Sequence, residues 1–296
     1  MRYRVRHHTE YRYGTPVANG HNIAHLTPRE TPRQRLLQHQ IQVVPEPALQ
    51  AWRDDFFGNR ALYFGLHEPH RQLSVTAVSE LEVQDPEPVR ESCGVAWERW
   101  RDGLAQRREP AALEARQYLL ESPLVSPGDE LRALALESFT PGRGLLEAVQ
   151  DLTRRIHQGF TYAPGSTGVT TPLAQVLRQR RGVCQDFAQV AIGALRSVGL
   201  PARYVSGYLE TRPPPGQPRL VGADASHAWF AAYHPELGWL DFDPTNDLRP
   251  AAAHVVTAWG RDYSDVPPLK GVIYGGGACS AGVSVDVEPL AAEAGP

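Results

Sequence analysis

Cys184 stands in the stretch Arg181-Gly182-Val183-Cys184-Gln185-Asp186-Phe187-Ala188. Downstream come Ser226-His227-Ala228-Trp229 and then Trp239-Leu240-Asp241-Phe242-Asp243-Pro244-Thr245-Asn246. A thiol, an imidazole and a carboxylate in this order are the parts of a nucleophilic site. The sulfur attacks an acyl carbon, the imidazole takes the thiol proton, and the carboxylate fixes the imidazole tautomer and supports its charged form. Each residue alone has an ordinary role: a lone Cys is most often a small buried hydrophobe, a lone His a surface or core residue, and an Asp before Pro a turn former. Their joint register is what points to chemistry.

The elements that must hold these groups follow from the pattern. From Cys184 onward, Phe187, Ala188, Ala191, Ile192 and Leu195 recur at the i, i+3, i+4 spacing of one buried helical face, and Gly199 with Pro201 ends the run. Cys184 thus falls in the first helical turn. There the unpaired N–H groups and the positive end of the helix dipole favour a thiolate, and Arg180 and Arg181 act in the same direction. The backbone N–H of Cys184 is the first candidate donor to an oxyanion. Asp186 is expected to cap this turn, a structural role.

The two partners read as one hairpin. His227 to Tyr233 alternates, His234-Pro235-Glu236-Leu237-Gly238 reads as the turn, and Trp239 to Asp243 as the return strand ended by Pro244. Folding about Pro235 or Glu236 brings positions 243 to 245 opposite His227 and sets Asp241 against Trp229. Asp243 is therefore the expected partner of His227. Tyr162, Gln185 and Trp229 are expected to line the substrate cleft or assist the oxyanion, each with a packing role as the plainer alternative. Arg261, Asp262 and Asp265 are expected either to bind a charged substrate or to tie a loop by ion pairs.

The two stretches GVCQDFAQVAIGALRSVGLPARYVSGYL and SHAWFAAYHPELGWLDFDPTN resemble the bacterial transglutaminase-like superfamily. The resemblance extends to Asp55-Phe56-Phe57-Gly58-Asn59 and to Gly260-Arg261-Asp262-Tyr263-Ser264-Asp265, and so spans nearly the whole chain. It implies an α+β fold: a papain-like core, with a Cys helix on an antiparallel sheet, behind an N-terminal β region. It also implies catalytic roles for Cys184, His227 and Asp243, and a peptide or protein amide as substrate. Hydrolysis is the expected outcome, as in a cysteine protease or amidase. Transfer to an amine, as in a transglutaminase, is the alternative, and a non-catalytic binding module that kept the fold is a third. At Gln185 the sequence departs from the animal cross-linking enzymes, which carry Trp after the nucleophile.

The 296 residues suffice for about two domains. Up to about Pro88 alternating segments between Pro, Gly and Asn-rich turns predict an antiparallel β domain, residues 1–90. Residues 91–296 are expected to hold helices over Pro110–Leu120, Asp129–Phe139 and Leu145–Gly159, then the catalytic core. The last strands, Val272–Tyr274 and Val283–Val287, join either the core sheet or the N-terminal domain. Thr211 to Arg219, rich in Pro, reads as an exposed loop.

A hydrophobic fraction of 42% fills a core, and a net charge of −3 argues against nucleic acid as partner. Cys93, Cys184 and Cys279 show no paired spacing, so neither a disulfide framework nor structural zinc is expected. His7 and His8, His21 and His25, and His67 and His70 do not stand at helical zinc-ligand spacing in a helix-like context. Neither a metal nor a cofactor is expected. The first residues have no apolar leader, and no run of about 18 apolar residues occurs, so a cytoplasmic protein without membrane attachment is expected. A homo-oligomer is allowed.

Overall fold

A computed structural model describes residues 1–89, 95–211 and 225–290. Cys93 and the loop beyond Thr211 lie outside the described residues. The chain opens with five strands, β1 (Arg2–Ala24), β2 (Gln34–Val44), β3 (Leu49–Asp54), β4 (Arg60–Leu66) and β5 (His70–Val83). Helices α1 (Trp97–Leu104), α2 (Pro110–Gln117), α3 (Asp129–Leu136) and α4 (Leu145–Gly159) follow. Next come β6 (Thr161–Tyr162), α5 (Leu173–Gln179), β7 (Arg181–Gly182) and α6 (Cys184–Ser197). Strands β8 (Ala202–Leu209), β9 (Ala225–His234), β10 (Gly238–Phe242) and β11 (His254–Gly260) complete the second unit, and β12 (Leu269–Gly275) and β13 (Cys279–Leu290) close the chain.

The first sheet is antiparallel and runs β2-β5-β1-β4-β3. Strand β1 is long enough to serve twice. Arg2–Arg12 pairs with β5, and after a register break Gly20–Ala24 pairs with β4. Its alternation buries Tyr3, Val5, His7 and Thr9 on one side, the period-2 pattern of a half-buried strand. Strand β3 is not among the segments expected from the sequence: its largely exposed residues, three apolar and three polar, keep no sustained alternation.

The C-terminal strands, grouped by chain order with residues 91–296, belong to this first sheet. Strand β13 pairs along β1 from Arg2 to Tyr13, β12 pairs with its second half, and Val285 and Val287 pack with Tyr3 and Val5. Alternation marks a strand but not its partner, and the edge of β1 opposite β5 takes them.

The second sheet runs β10-β9-β8-β11, all antiparallel, with α6 across one face. Alternate residues make that face: Ala228, Phe230 and Ala232 of β9, Ala202 and Tyr204 of β8, and Leu240 and Phe242 of β10. They pack on Phe187, Ala188, Ala191, Ile192 and Leu195 of α6. Burial of a side chain such as Phe187 contributes roughly 1.5–3 kcal/mol. Helices α3, α4 and α5 enclose the rest of α6, which is buried from Asp186 to Arg196. The opposite face carries Val205, Trp229, Ala231 and Val256. Tyr208 and Val255 join the cluster of Tyr3 and Val5, which locks the two sheets together.

Candidate active site

The first turn of α6 is held by its own sequence. Val183 is the extended residue before the helix, and its N–H donates to Oδ2 of Asp186 at 2.8 Å; the hydroxyl of Thr167 donates to the same oxygen at 2.7 Å. Asp186 is therefore the cap expected of it, and buried. Gly182 is required beside it, because a Cβ there would lie 2.5 Å from Asp186 Oδ2. The approach to the helix is fixed by a short parallel pairing in which Thr161 N–H donates to Arg180 O and Ala163 N–H to Gly182 O, both at 2.8 Å. Cys184 opens the helix half-buried as a free thiol.

His227 lies on β9 directly opposite Gly207 of β8. A Cβ at Gly207 would meet the Val255 carbonyl oxygen at 2.0 Å and the Trp229 ring at 2.7 Å, so only glycine lets the three strands close there. The hairpin turns about Glu236: Gly238 pairs with His234 and Asp241 with Ala231, one pair away from the expected Trp229. Gly238 has φ +74°, and this left-handed residue after a three-residue loop sets the register. Asp241 instead faces Arg33, 3.2 Å away.

Asp243 lies just past the end of β10, bridged to Leu248, and is fully buried. Its Oδ1 accepts from the N–H groups of Thr245 (2.9 Å) and Asn246 (3.3 Å). Its Oδ2 accepts from Nδ2 of Asn246 at 2.7 Å and stands 2.8 Å from Nε2 of His227. With Nε2 committed to Asp243, Nδ1 is the ring nitrogen left to serve Cys184, whose sulfur acts electrostatically on the imidazole. Burial works against a charge on His227, but Asp243 and Cys184 together outweigh it and hold the imidazole well above its ordinary range. Burial likewise opposes the Asp243 charge, and His227, His254 and Asn246 overcome it and hold the carboxyl below the usual range.

The remaining candidates separate. Tyr162 is half-exposed, with its ring edge-on to Phe187 at 6.3 Å, and partial burial, then the neighbouring Cys184, push its phenol above the ordinary range. The Gln185 side-chain amide donates to Val169 O at 3.2 Å and so holds the preceding loop. Trp229 is fully buried; it is enclosed by Val205, Ala231 and Val256 and does not line an open cleft. It packs 6.0 Å from the His227 ring and 5.3 Å from that of His254. Asp265 pairs with Arg261 at 2.9 Å, and Asp262 accepts from Leu124 N–H and from Ser264, so this cluster ties loops together.

Sequence reasoning missed His254. It opens β11, is buried, and sets Nε2 3.2 Å from the same Asp243 oxygen that meets His227. Nothing local in His254-Val255-Val256 announces this. Asn246, three residues after Asp243 in the same motif, bonds back to it through its side-chain amide. Among the described residues, His227, Asp243 and His254 bring three ligand-type atoms within 4.8 Å of one another, a set able to hold a cation; here the atoms bond to one another.

A helix with Cys at its first position, lying on an antiparallel sheet that carries His and Asp at its rim, defines a papain-like core. A family model for the bacterial transglutaminase-like N-terminal region matches residues 3–82, and one for the transglutaminase-like superfamily matches residues 132–244. The chain belongs to the transglutaminase-like superfamily. An uncharacterized protein of Mycobacterium tuberculosis is 43% identical over 301 residues, covering 99% of this chain and 94% of the relative. A protein-glutamine gamma-glutamyltransferase of Pseudomonas aeruginosa is 29% identical over 186 residues, 60% of this chain and 27% of that one. A solved structure from Cytophaga hutchinsonii, described as a "Putative Cysteine Protease", matches with a TM-score of 0.77 at 22% identity, over 100% of this chain and 93% of that one. No helix among the described residues is long and apolar enough to cross a membrane.

Proposed function

We propose that the protein is a thiol hydrolase of peptide or glutamine-type amides, with Cys184 as nucleophile, His227 as general acid and base, and Asp243 as the group that orients His227. The observation that carries this reading is the 2.8 Å contact between His227 and buried Asp243, in a ring whose charge Cys184 also favours. Cys184 passes its proton to Nδ1 of His227 and attacks the amide carbonyl. The oxyanion is met by the free N–H groups of the first turn of α6. His227 returns the proton to the leaving amine, and a thioester remains on the sulfur. It then takes a proton from water, which cleaves the thioester to the acid and restores the thiol.

Water is favoured over an amine as acceptor for two reasons. The position after the nucleophile is Gln185, engaged with Val169 where the animal cross-linking enzymes carry an indole, and Tyr162, which acts electrostatically on Cys184, is half-exposed and leaves water access. The Pseudomonas gamma-glutamyltransferase supports the transfer alternative. A glutaminyl peptide supplied with a primary amine at millimolar concentration separates them by product mass. The free acid is expected as the main product, unchanged by a chelator. The amine adduct as main product would replace hydrolysis with transfer.

A further inference from the structure

A cavity of about 640 Å³ lies between the β2 end of the first sheet and the β8-β10 side of the second, away from Cys184. Arg203, on β8, lines it. This guanidinium is clamped between two indole rings, 3.8 Å from the centre of Trp259 and 4.5 Å from that of Trp239, and the residue is only 7% exposed. Among the described residues it has neither a hydrogen-bond acceptor nor a carboxylate partner, and its Nε is buried with no acceptor. Burial lowers its pKa to about 10, against the pull of Asp241.

A second cation faces the same space. Arg249 lies against the Phe242 ring at 5.6 Å, its Nε also buried without an acceptor. A buried guanidinium without a hydrogen-bonded partner is costly, and half-buried Arg249 adds a second positive charge to the same cavity. Asp241 offsets this in part for both arginines, but it is itself bound to Arg33 at 3.2 Å, and Asp85 accepts from Ala252 N–H at 3.0 Å. Glu87 and Glu114 stand exposed at the rim, where they disfavour polyanions and leave the interior to a small one.

Trp259 is itself held from behind. Its backbone N–H donates to Asn59 and its carbonyl accepts from Asn59, while Arg29 stacks on its ring at 3.6 Å. The Asp55-Phe56-Phe57-Gly58-Asn59 turn, which the proposed reaction does not use, thus fixes one wall of the clamp. A planar, preorganised fork between rigid rings suits bidentate recognition of a carboxylate or phosphate.

We propose that this cavity is a binding site for a small carboxylate- or phosphate-bearing ligand, held by Arg203 and Arg249 and separate from the thiol site. Val205 and Val256 line it and pack against Trp229, which stands between the two sites.

Calorimetric titration of the whole protein with inorganic phosphate and, separately, succinate tests this, with tryptophan fluorescence as a second readout. Saturable binding of at least one probe is expected, weakened about tenfold or more in Arg249→Gln and in Arg203→Lys, which keeps the charge but loses the fork. The stronger probe identifies the headgroup class. Absence of saturable binding by either probe, or affinity unchanged in both variants, would overturn the proposal. Amide turnover is read in parallel, so failure here leaves the thiol reaction separately judged.

Discussion

Nε2 of His254 lies 3.2 Å from Oδ2 of Asp243, the oxygen that also holds Nε2 of His227 at 2.8 Å. One carboxylate oxygen thus serves two imidazoles from two strands, β9 and β11. In the proposed reaction His254 would act through Asp243 as a positioning residue. Loss of a hydrogen bond to a charged group costs about 1.5–3 kcal/mol, so His254→Ala is expected to lower kcat by about ten- to a hundredfold. KM should stay unchanged, and the pH profile assigned to His227 should shift. A variant with the wild-type kcat and pH profile would reduce His254 to core packing.

The two acidic residues of the return strand are expected to behave oppositely. Asp243→Asn puts an amide where Oδ2 accepts from His227 and Asn246, which breaks the tautomer control; about 10⁴-fold in turnover is expected to be lost. Because five groups bond to this buried carboxylate, stability should fall as well. Asp241 makes a part-exposed ion pair with Arg33, a contact worth about 0–1 kcal/mol, so Asp241→Asn should be mild. Steady-state kinetics and thermal unfolding on the two variants check the ranking, and the reverse order would contradict it.

The pH dependence of stability has two limbs. Asp243 is depressed in the folded state. Its contribution is present above the unfolded carboxyl value of about 3.9 and is lost as pH falls through the folded value. His227 is raised. Its contribution is full below the unfolded imidazole value of about 6.5 and is lost as pH rises toward the folded value. A plateau between about pH 4 and 6.5 is expected, with the unfolding midpoint falling on either side. In His227→Gln the alkaline decline should flatten; an identical alkaline limb in that variant would remove His227 as its source.

Much of this site was legible because local pattern placed it. The period of 3.6 after Cys184 and the alternation after His227 gave α6 and β9, and the hairpin brought Asp243 to His227. Hairpin register was legible only to within a pair, since Pro235 and Glu236 were both acceptable centres until Gly238 at φ +74° chose the second. His254 was hidden because its link to Asp243 is made by strand pairing of β11 on β8, which no local spacing encodes. Arg203 did leave a sign, a charge inside the apolar strand Ala202–Leu209, but its ring partners Trp239 and Trp259 come from two other strands. The placement of β12 and β13 depended on which edge of β1 was open, again a property of the assembled sheet.

The central claim is that Cys184 is the nucleophile, activated by His227 and the first turn of α6. Brief iodoacetamide treatment at mildly acidic pH, followed by peptide mapping of all three cysteines, tests it without knowledge of the substrate. Accessibility alone favours Cys279, which is exposed, over half-buried Cys184. Activation reverses that order. Cys184 is expected to alkylate first, well ahead of Cys279 and Cys93, and to lose this lead in His227→Gln. Labelling led by Cys279, or equal at all three positions, would contradict the assignment.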